Sequence, residues 1–302
     1  MIAVIGSSNM DLVVNTKRAP EAGETLLGTS FFMSPGGKGA NQAVAIARLG
    51  GVPLFVSKLG SDVFGRQLRE HFLKENMDVS YVFETKDDQT GVASITVDAK
   101  GENRIIVMPG ANEKLLPGDV QLALSAIDGC EWVVLQQEIP LQTIRFVIDW
   151  AYKKGKRVIL NPAPASQLMA DIYSQVAVLT PNETELEVMT GMKTRDKAGV
   201  LCAARCLLSM GASQVIVTLG ANGSLVCSEY ETSWIPARKV QPVDTTAAGD
   251  VFNGALAVAL AEGRELKEAA RFATVAASVA VTRPGAQTSV PYREEIDRLF
   301  NF

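Results

Sequence analysis

The chain has one histidine, His71, in 302 residues, and this absence narrows its chemistry at once. A Ser/His/Asp hydrolase would have to use that residue, and a histidine-rich metal site cannot be built. His71 falls in the amphipathic stretch 62–76, where a surface helix position is its simplest reading. Four cysteines are too few for a disulfide framework and point to a reducing cytoplasm. Cys202 and Cys206 lie four apart on an expected helix, but no further Cys or His stands nearby to complete a tetrahedral site, so they read as buried thiols. No run reaches the roughly 18 apolar residues that a membrane span needs. No basic segment precedes the apolar start Met1–Gly6, so no signal peptide is expected. The net charge of −4 has the wrong sign for a nucleic-acid footprint. Three phosphate-handling signatures are missing as well: Gly-x-Gly-x-x-Gly after the first strand, the P-loop, and the protein-kinase loops.

What is present is an alternation of strands and helices. Ile2–Gly6, Leu54–Leu59, Trp132–Gln136, Arg157–Asn161, Val176–Thr180 and Gln214–Leu219 are short apolar runs rich in Val and Ile, each closed by polar or Gly residues. Such runs suit strands buried on both faces. Leu141, Ile144, Val147, Ile148 and Ala151 mark one helix face, and Leu266, Ala269, Ala270, Ala273, Ala276, Ala277 and Ala280 another. The expectation is an α/β fold: a mostly parallel central sheet flanked by helices, in a Rossmann-like three-layer arrangement. Residues 93–98 alternate strictly, Lys100-Gly101 offers a turn, and Arg104–Met108 extends again, which describes a hairpin with one wet face. Asp11–Asn15 and Thr25–Met33 are similarly strand-like. These pieces, from about 11–33 and 90–108, form a small β-sheet lid on a single domain spanning 1–302. The charge cluster 153–157 reads as a solvated helix C-terminus.

Two motifs carry chemistry. Asp244-Thr245-Thr246-Ala247-Ala248-Gly249-Asp250 precedes a helical pattern, so residues 247–250 offer free N–H groups at a helix start, an anion hole for a phosphoryl group. Asp250 there is either a capping carboxylate or a general base beside the bound phosphoryl group. Pro35-Gly36-Gly37-Lys38-Gly39-Ala40-Asn41-Gln42 has more glycine than a plain turn needs and allows close backbone approach to a ligand, with Asn41 offering both donor and acceptor.

These motifs, with Gly6-Ser7-Ser8-Asn9-Met10-Asp11, Asn161-Pro162-Ala163-Pro164, Thr180-Pro181-Asn182-Glu183-Thr184-Glu185, Thr218-Leu219-Gly220 and Gly285-Ala286-Gln287, occur in one order along the chain. In that order the sequence resembles the ribokinase-like carbohydrate kinases. The resemblance implies ATP-dependent phosphorylation of D-ribose at O5, with Asp250 as base and Ala247, Ala248, Gly249 and Asp250 as anion hole. It implies a sugar held by Asn9, Met10, Asp11, Gly37, Lys38, Gly39, Ala40, Asn41, Glu138 and Asp250. It implies ATP held by Asn182, Thr218, Leu219, Gly220, Ala221, Asn222, Gly223, Gly249, Asp250 and Thr274, with Glu185 in the Mg²⁺ environment. Asn182–Glu185 alone reads as an ordinary capped helix start. Ala247 departs from the glycine common in the family, and its N–H serves the hole if its φ is negative. An activating K⁺ is implied at Asp244, Thr246, Ala280, Arg283, Gly285 and Ser289. So is a cytoplasmic homodimer joined through the lids, with no nucleic acid or membrane partner. A kinase for deoxyribose or another small sugar is the alternative. An inactive sugar-binding regulator, which would have lost Gly249 or Asp250, is a weaker one.

Overall fold

The computed structural model describes residues 1–165 and 170–300. Its strands are β1 Ile2–Ile5, β2 Asn9–Asn15, β3 Ser30–Gly36, β4 Pro53–Gly60, β5 Val82–Thr85, β6 Gly91–Val97, β7 Asn103–Met108, β8 Trp132–Leu135, β9 Arg157–Leu160, β10 Val178–Leu179, β11 Gln214–Thr218, β12 Ser224–Ser228 and β13 Thr232–Ile235. Its helices are α1 Lys38–Arg48, α2 Val63–Lys74, α3 Pro117–Ile127, α4 Leu141–Lys153, α5 Ala170–Tyr173, α6 Glu183–Thr190, α7 Lys197–Ser209, α8 Ala248–Ala261, α9 Leu266–Ala280 and α10 Arg293–Phe300.

Nine strands form the main sheet in the order β13-β12-β11-β10-β9-β8-β1-β4-β5, parallel from β11 to β5 with β12 and β13 antiparallel at one edge. Strand alternation divides the core into two layers. Ile2, Val4, Trp132, Val134, Ile159 and Ile216 pack with α1, α2, α8 and α9 on one face. Ala3, Ile5, Val133, Leu135, Val158 and Val217 pack with α3, α4, α6 and α7 on the other. Both faces are covered, so the strands read as unbroken apolar runs. The α/β three-layer expectation therefore holds.

A second sheet, β3-β2-β6-β7, stands beside the first. The expected strand over Thr25–Met33 is displaced: pairing starts at Ser30, opposite Asn15, and runs to Gly36 opposite Asn9. The seven residues of β2 can pair with only seven partners, so 25–29 remain in the turn. The run Val176–Thr180 likewise narrows to Val178–Leu179. Cys202 is exposed and Cys206 half-buried, against the expectation of buried thiols; the buried ones are Cys130 and Cys227.

Candidate active site

In an open parallel sheet the strand carboxyl ends share one rim, and polar groups that leave those strands converge there. Ser7 and Ser8 follow β1, Glu138 follows β8, Asn161 follows β9, Asn182 follows β10 and Gly220 follows β11. The glycines of the 36–39 segment bring α1 onto this rim. Their close approach is to the chain itself, not to open space for a ligand. A Cβ on Gly37 would lie 2.7 Å from the Asn9 backbone nitrogen, and one on Gly39 2.5 Å from the Gly6 carbonyl carbon.

Asp250 is 6% exposed in the first turn of α8. Asn41 Nδ2 donates to its Oδ2 at 2.9 Å, and Gln42 Nε2 donates to its Oδ1 at 3.1 Å. Burial pushes the Asp250 carboxyl up, against the opposing pull of Lys38 and of the two amides. The Lys38 ammonium is penalised by burial, but Asp250, Glu138, Glu185 and Asp11 together hold it charged. Glu138 Oε2 accepts from Ser7 Oγ at 2.6 Å and from the Lys38 backbone N–H at 3.1 Å.

Asp11 lies across the rim on β2, 8% exposed, and its carboxylate has no hydrogen-bond partner among the described residues. Burial, then Glu138 and Asp250, push its pKa up to about 7 against the pull of Lys38. Asn9 shares that face of β2. Its Oδ1 accepts from Asn112 Nδ2 at 2.8 Å, and Asn112 also takes the Ser8 N–H on its Oδ1. Asn112 gave no signal in the sequence, because only the fold carries residue 112 to the start of β2.

Several expected sugar-binding residues face elsewhere. Met10 alternates to the opposite face of β2 and is buried in the main core. Gly39 N donates to Ser7 Oγ and Ala40 N to the Ser7 carbonyl, so both amides hold the loop.

Ala247 adopts φ +59°, not the negative angle expected of an alanine there, which explains why glycine suits the position. The amides of Ala247, Gly249 and Asp250 have no acceptor among the described residues, whereas Ala248 N donates to the Thr245 carbonyl at 3.3 Å. Of the four amides expected to form an anion hole, three are thus free donors and one is engaged.

Asn182 and Glu185 form a reciprocal cap on α6: Glu185 N donates to Asn182 Oδ1, while Asn182 N and Nδ2 donate to the Glu185 carboxylate. Burial raises the Glu185 pKa, with the Asn182 N–H opposing it. Asn182 bridges Thr218, which leads into the exposed Gly220–Asn222 turn. Gly223 has φ +92°, and a Cβ there would meet the Ile235 carbonyl at 1.9 Å. Leu219 is buried. Thr274 is also buried; its hydroxyl bonds to the Ala270 carbonyl and to Ser224, which pairs with Thr218 at the carboxyl end of β11, so it ties α9 to β12 at the rim end of the sheet.

The segments around 244 and 285 meet. Asp244 Oδ1 accepts from Thr246 N and Oγ1, and Oδ2 accepts from Gly285 N at 2.8 Å. These bonds outweigh burial and hold the Asp244 carboxyl below the usual range. Ala280 is buried, and its carbonyl accepts from Arg283 N. The Arg283 side chain pairs with Glu295, and Ser289 Oγ donates to the Ala286 carbonyl.

A three-layer α/β sheet with a polar rim, a buried carboxylate at a helix start and an accessory sheet alongside is the build of a small-molecule enzyme. Residues 1–293 match the pfkB family of carbohydrate kinases, and the chain belongs to that family. It is 41% identical to a ribokinase of Bacillus subtilis over 99% of both chains. It is 37% identical to a deoxyribokinase of Salmonella typhimurium, over 98% of this chain and 97% of that one. A solved structure of Arabidopsis thaliana ribokinase complexed with ribose and ATP superposes with a TM-score of 0.92 at 35% identity, covering 100% of this chain and 98% of that one.

Proposed function

We infer that this chain is an ATP-dependent kinase that phosphorylates D-ribose at O5, giving D-ribose 5-phosphate. One observation carries the reading: the buried Asp250 carboxylate, held by Asn41 and Gln42, shares a helix start with the free N–H groups of Ala247, Gly249 and Asp250. A base and an anion site are then adjacent, as transfer of a phosphoryl group to a hydroxyl requires.

Asp11 and Glu138 accept from the sugar hydroxyls, while Asn9, Asn41 and Lys38 donate to its oxygens. The empty hydrogen-bonding capacity of Asp11 supports this placement. Asp250 takes the proton of the 5-hydroxyl as that oxygen bonds to the γ-phosphorus and the bond to the departing ADP oxygen breaks. A primary hydroxyl is weakly acidic, so the base contributes about 10²–10⁴ in rate. A carboxyl raised by burial is a better proton acceptor for this step. The three free amides stabilise charge on the transferring group.

Thr218–Gly223 and Asn182 take the nucleotide side. Both Glu185 oxygens are occupied by Asn182, so Glu185 would hold Mg²⁺ through water, the manner in which that ion usually binds. Mg²⁺ supplies neutralisation of the phosphate charge. Asp244 with the Thr246, Ala280, Arg283, Gly285 and Ser289 region offers one carboxylate and carbonyl oxygens, a donor set suited to a large monovalent cation such as K⁺. Exposed apolar side chains of the accessory sheet support a homodimer through that sheet. The four cysteines are free, in keeping with a cytoplasmic protein.

The deoxyribokinase relatives favour a second reading, in which 2-deoxyribose is the acceptor. Coupled measurement of ADP release across pentoses and hexoses separates the two. The expected result is the highest kcat/KM with ribose. A higher value with 2-deoxyribose selects the second reading, and no sugar-dependent ADP release overturns both.

A further inference from the structure

The Asp250 carboxylate does not end its hydrogen bonding at Asn41. Gln287 Nε2 lies 3.0 Å from Asn41 Oδ1, and Gln287 Oε1 lies 2.8 Å from His71 Nε2. Asn41 is 5% exposed and Gln287 fully buried, so water cannot substitute for either partner. An ionised carboxylate only accepts, which fixes the direction of every bond in the row. Asn41 must turn its NH₂ to Asp250 and its oxygen to Gln287. Gln287 must then donate to Asn41, leaving its own oxygen for His71. His71 must supply a proton on Nε2.

We propose that Gln287 and His71 are positioning residues for the reaction: the one-way chain His71→Gln287→Asn41→Asp250 keeps the Asn41 amide from flipping and so aims the base. This inference rests on the reading of Asp250 as that base. If the Asn41 amide were reversed, its oxygen would face the carboxylate, repel it and turn it out of line. Gln42 holds the other carboxylate oxygen, and its Oε1 accepts from Gln136 Nε2 at 2.7 Å, so both sides of Asp250 are braced by buried amides. Arg48 anchors the outer end. It donates to the Gln287 and Val290 carbonyls and pairs with Glu75, which lies 3.9 Å from His71. His71 is therefore half-buried and bonded into the site, not a free surface residue. The sequence showed Gln287 only as a motif letter and gave no hint that residues 216 apart would meet.

A single histidine makes the chain observable without substrate. Nitrogen-15 NMR of the parent enzyme at neutral pH should show His71 as the Nε2–H tautomer with a slowly exchanging ring proton. In Gln287→Met, which keeps length and removes both bonds, that proton should exchange freely. The Nδ1–H tautomer in the parent would overturn the chain whichever sugar is the substrate. In kinetics, Gln287→Met should lower kcat on the preferred sugar about tenfold with KM for ATP within about twofold. His71→Phe, which keeps a ring and removes the donor, should lower kcat about threefold. In an Asp250→Asn background, Gln287→Met should cost nothing further, because there is no base left to aim. Parental kcat in both single variants, or a Gln287→Met loss that multiplies in that background, would leave Gln287 a packing residue only.

Discussion

Asp250→Asn keeps the size of the side chain while removing the carboxylate proposed as the base. We expect kcat to fall by at least ~10² and ribose affinity to change little. Because burial raises the Asp250 carboxyl, its ionised form destabilises the fold at neutral pH, so the variant should melt no lower than the parent. Steady-state kinetics with a melting curve checks both, and near-parental turnover would remove Asp250 from the reaction. Asp11 tests the sugar side through linkage. Its pKa is pushed up to about 7 first by burial, and sugar hydroxyls donating to it favour the ionised form, so binding lowers that pKa. Ribose should then release protons near and below pH 7, and its affinity should fall as pH drops below about 7, by up to tenfold per unit. Calorimetry in two buffers of different ionisation enthalpy reads the release, and none at pH 6.5 would separate Asp11 from the sugar. Asp11 and Asp250 became candidates through the resemblance that their ordered motifs carry; on the local residues alone, a turn or a capping carboxylate accounts for either one. Met10 was misread because neighbours in a motif face opposite ways on a strand. Gln42, Asn112 and Gln287 escaped because an amide matters only through a partner that the fold supplies.

Among the elements, the doubly buried strands were readable from their runs of Val and Ile, whereas β5, β12 and β13 were not. β5 and β13 are the two edge strands and carry mixed residues, Val82-Phe83-Glu84-Thr85 and Thr232-Ser233-Trp234-Ile235, while β12, one place in from the edge, has only Leu225-Val226-Cys227 between serines, so no long run marks any of them. The loops that make the site pose a different problem, since their shape follows from hydrogen bonds between distant segments. Asp244 joins the approach to α8 with the segment after α9 through Thr246 and Gly285. An ion held between those segments would not touch substrate; it would stiffen the run into Ala247–Asp250 and add positive field there. Activity should therefore be several-fold higher in potassium than in tetramethylammonium at equal ionic strength, by about half to one decade on an electrostatic scale of ~1 kcal/mol. Asp244→Ala should erase the difference. Equal rates of the parent enzyme in both salts would show that the loop works without an ion.

At the scale of the molecule, the accessory sheet is the part whose surface is least finished. Its strand β7 is exposed along its whole length, with Ile105 51% and Ile106 68% exposed although successive residues point to opposite faces. Phe31 and Phe32 on β3 are exposed at the opposite edge. Val13, Ala93 and Ile95 give this sheet a small apolar cluster of its own, on the same face as Asp11. A sheet with apolar residues left open on both faces and unpaired edge strands invites pairing with another chain. A second copy meeting it sheet to sheet on the Asp11-bearing face would cover Phe32 and Ile105 and close the Asp11 side of the rim from water. Light scattering should then give twice the 32.3 kDa of one chain at micromolar concentration. Ile105→Lys with Phe32→Lys, which put two charges on the Asp11-bearing face, should yield monomers and raise KM for ribose more than KM for ATP. A parent enzyme that is monomeric and fully active at that concentration would mean that the exposed face serves another purpose than holding two copies together.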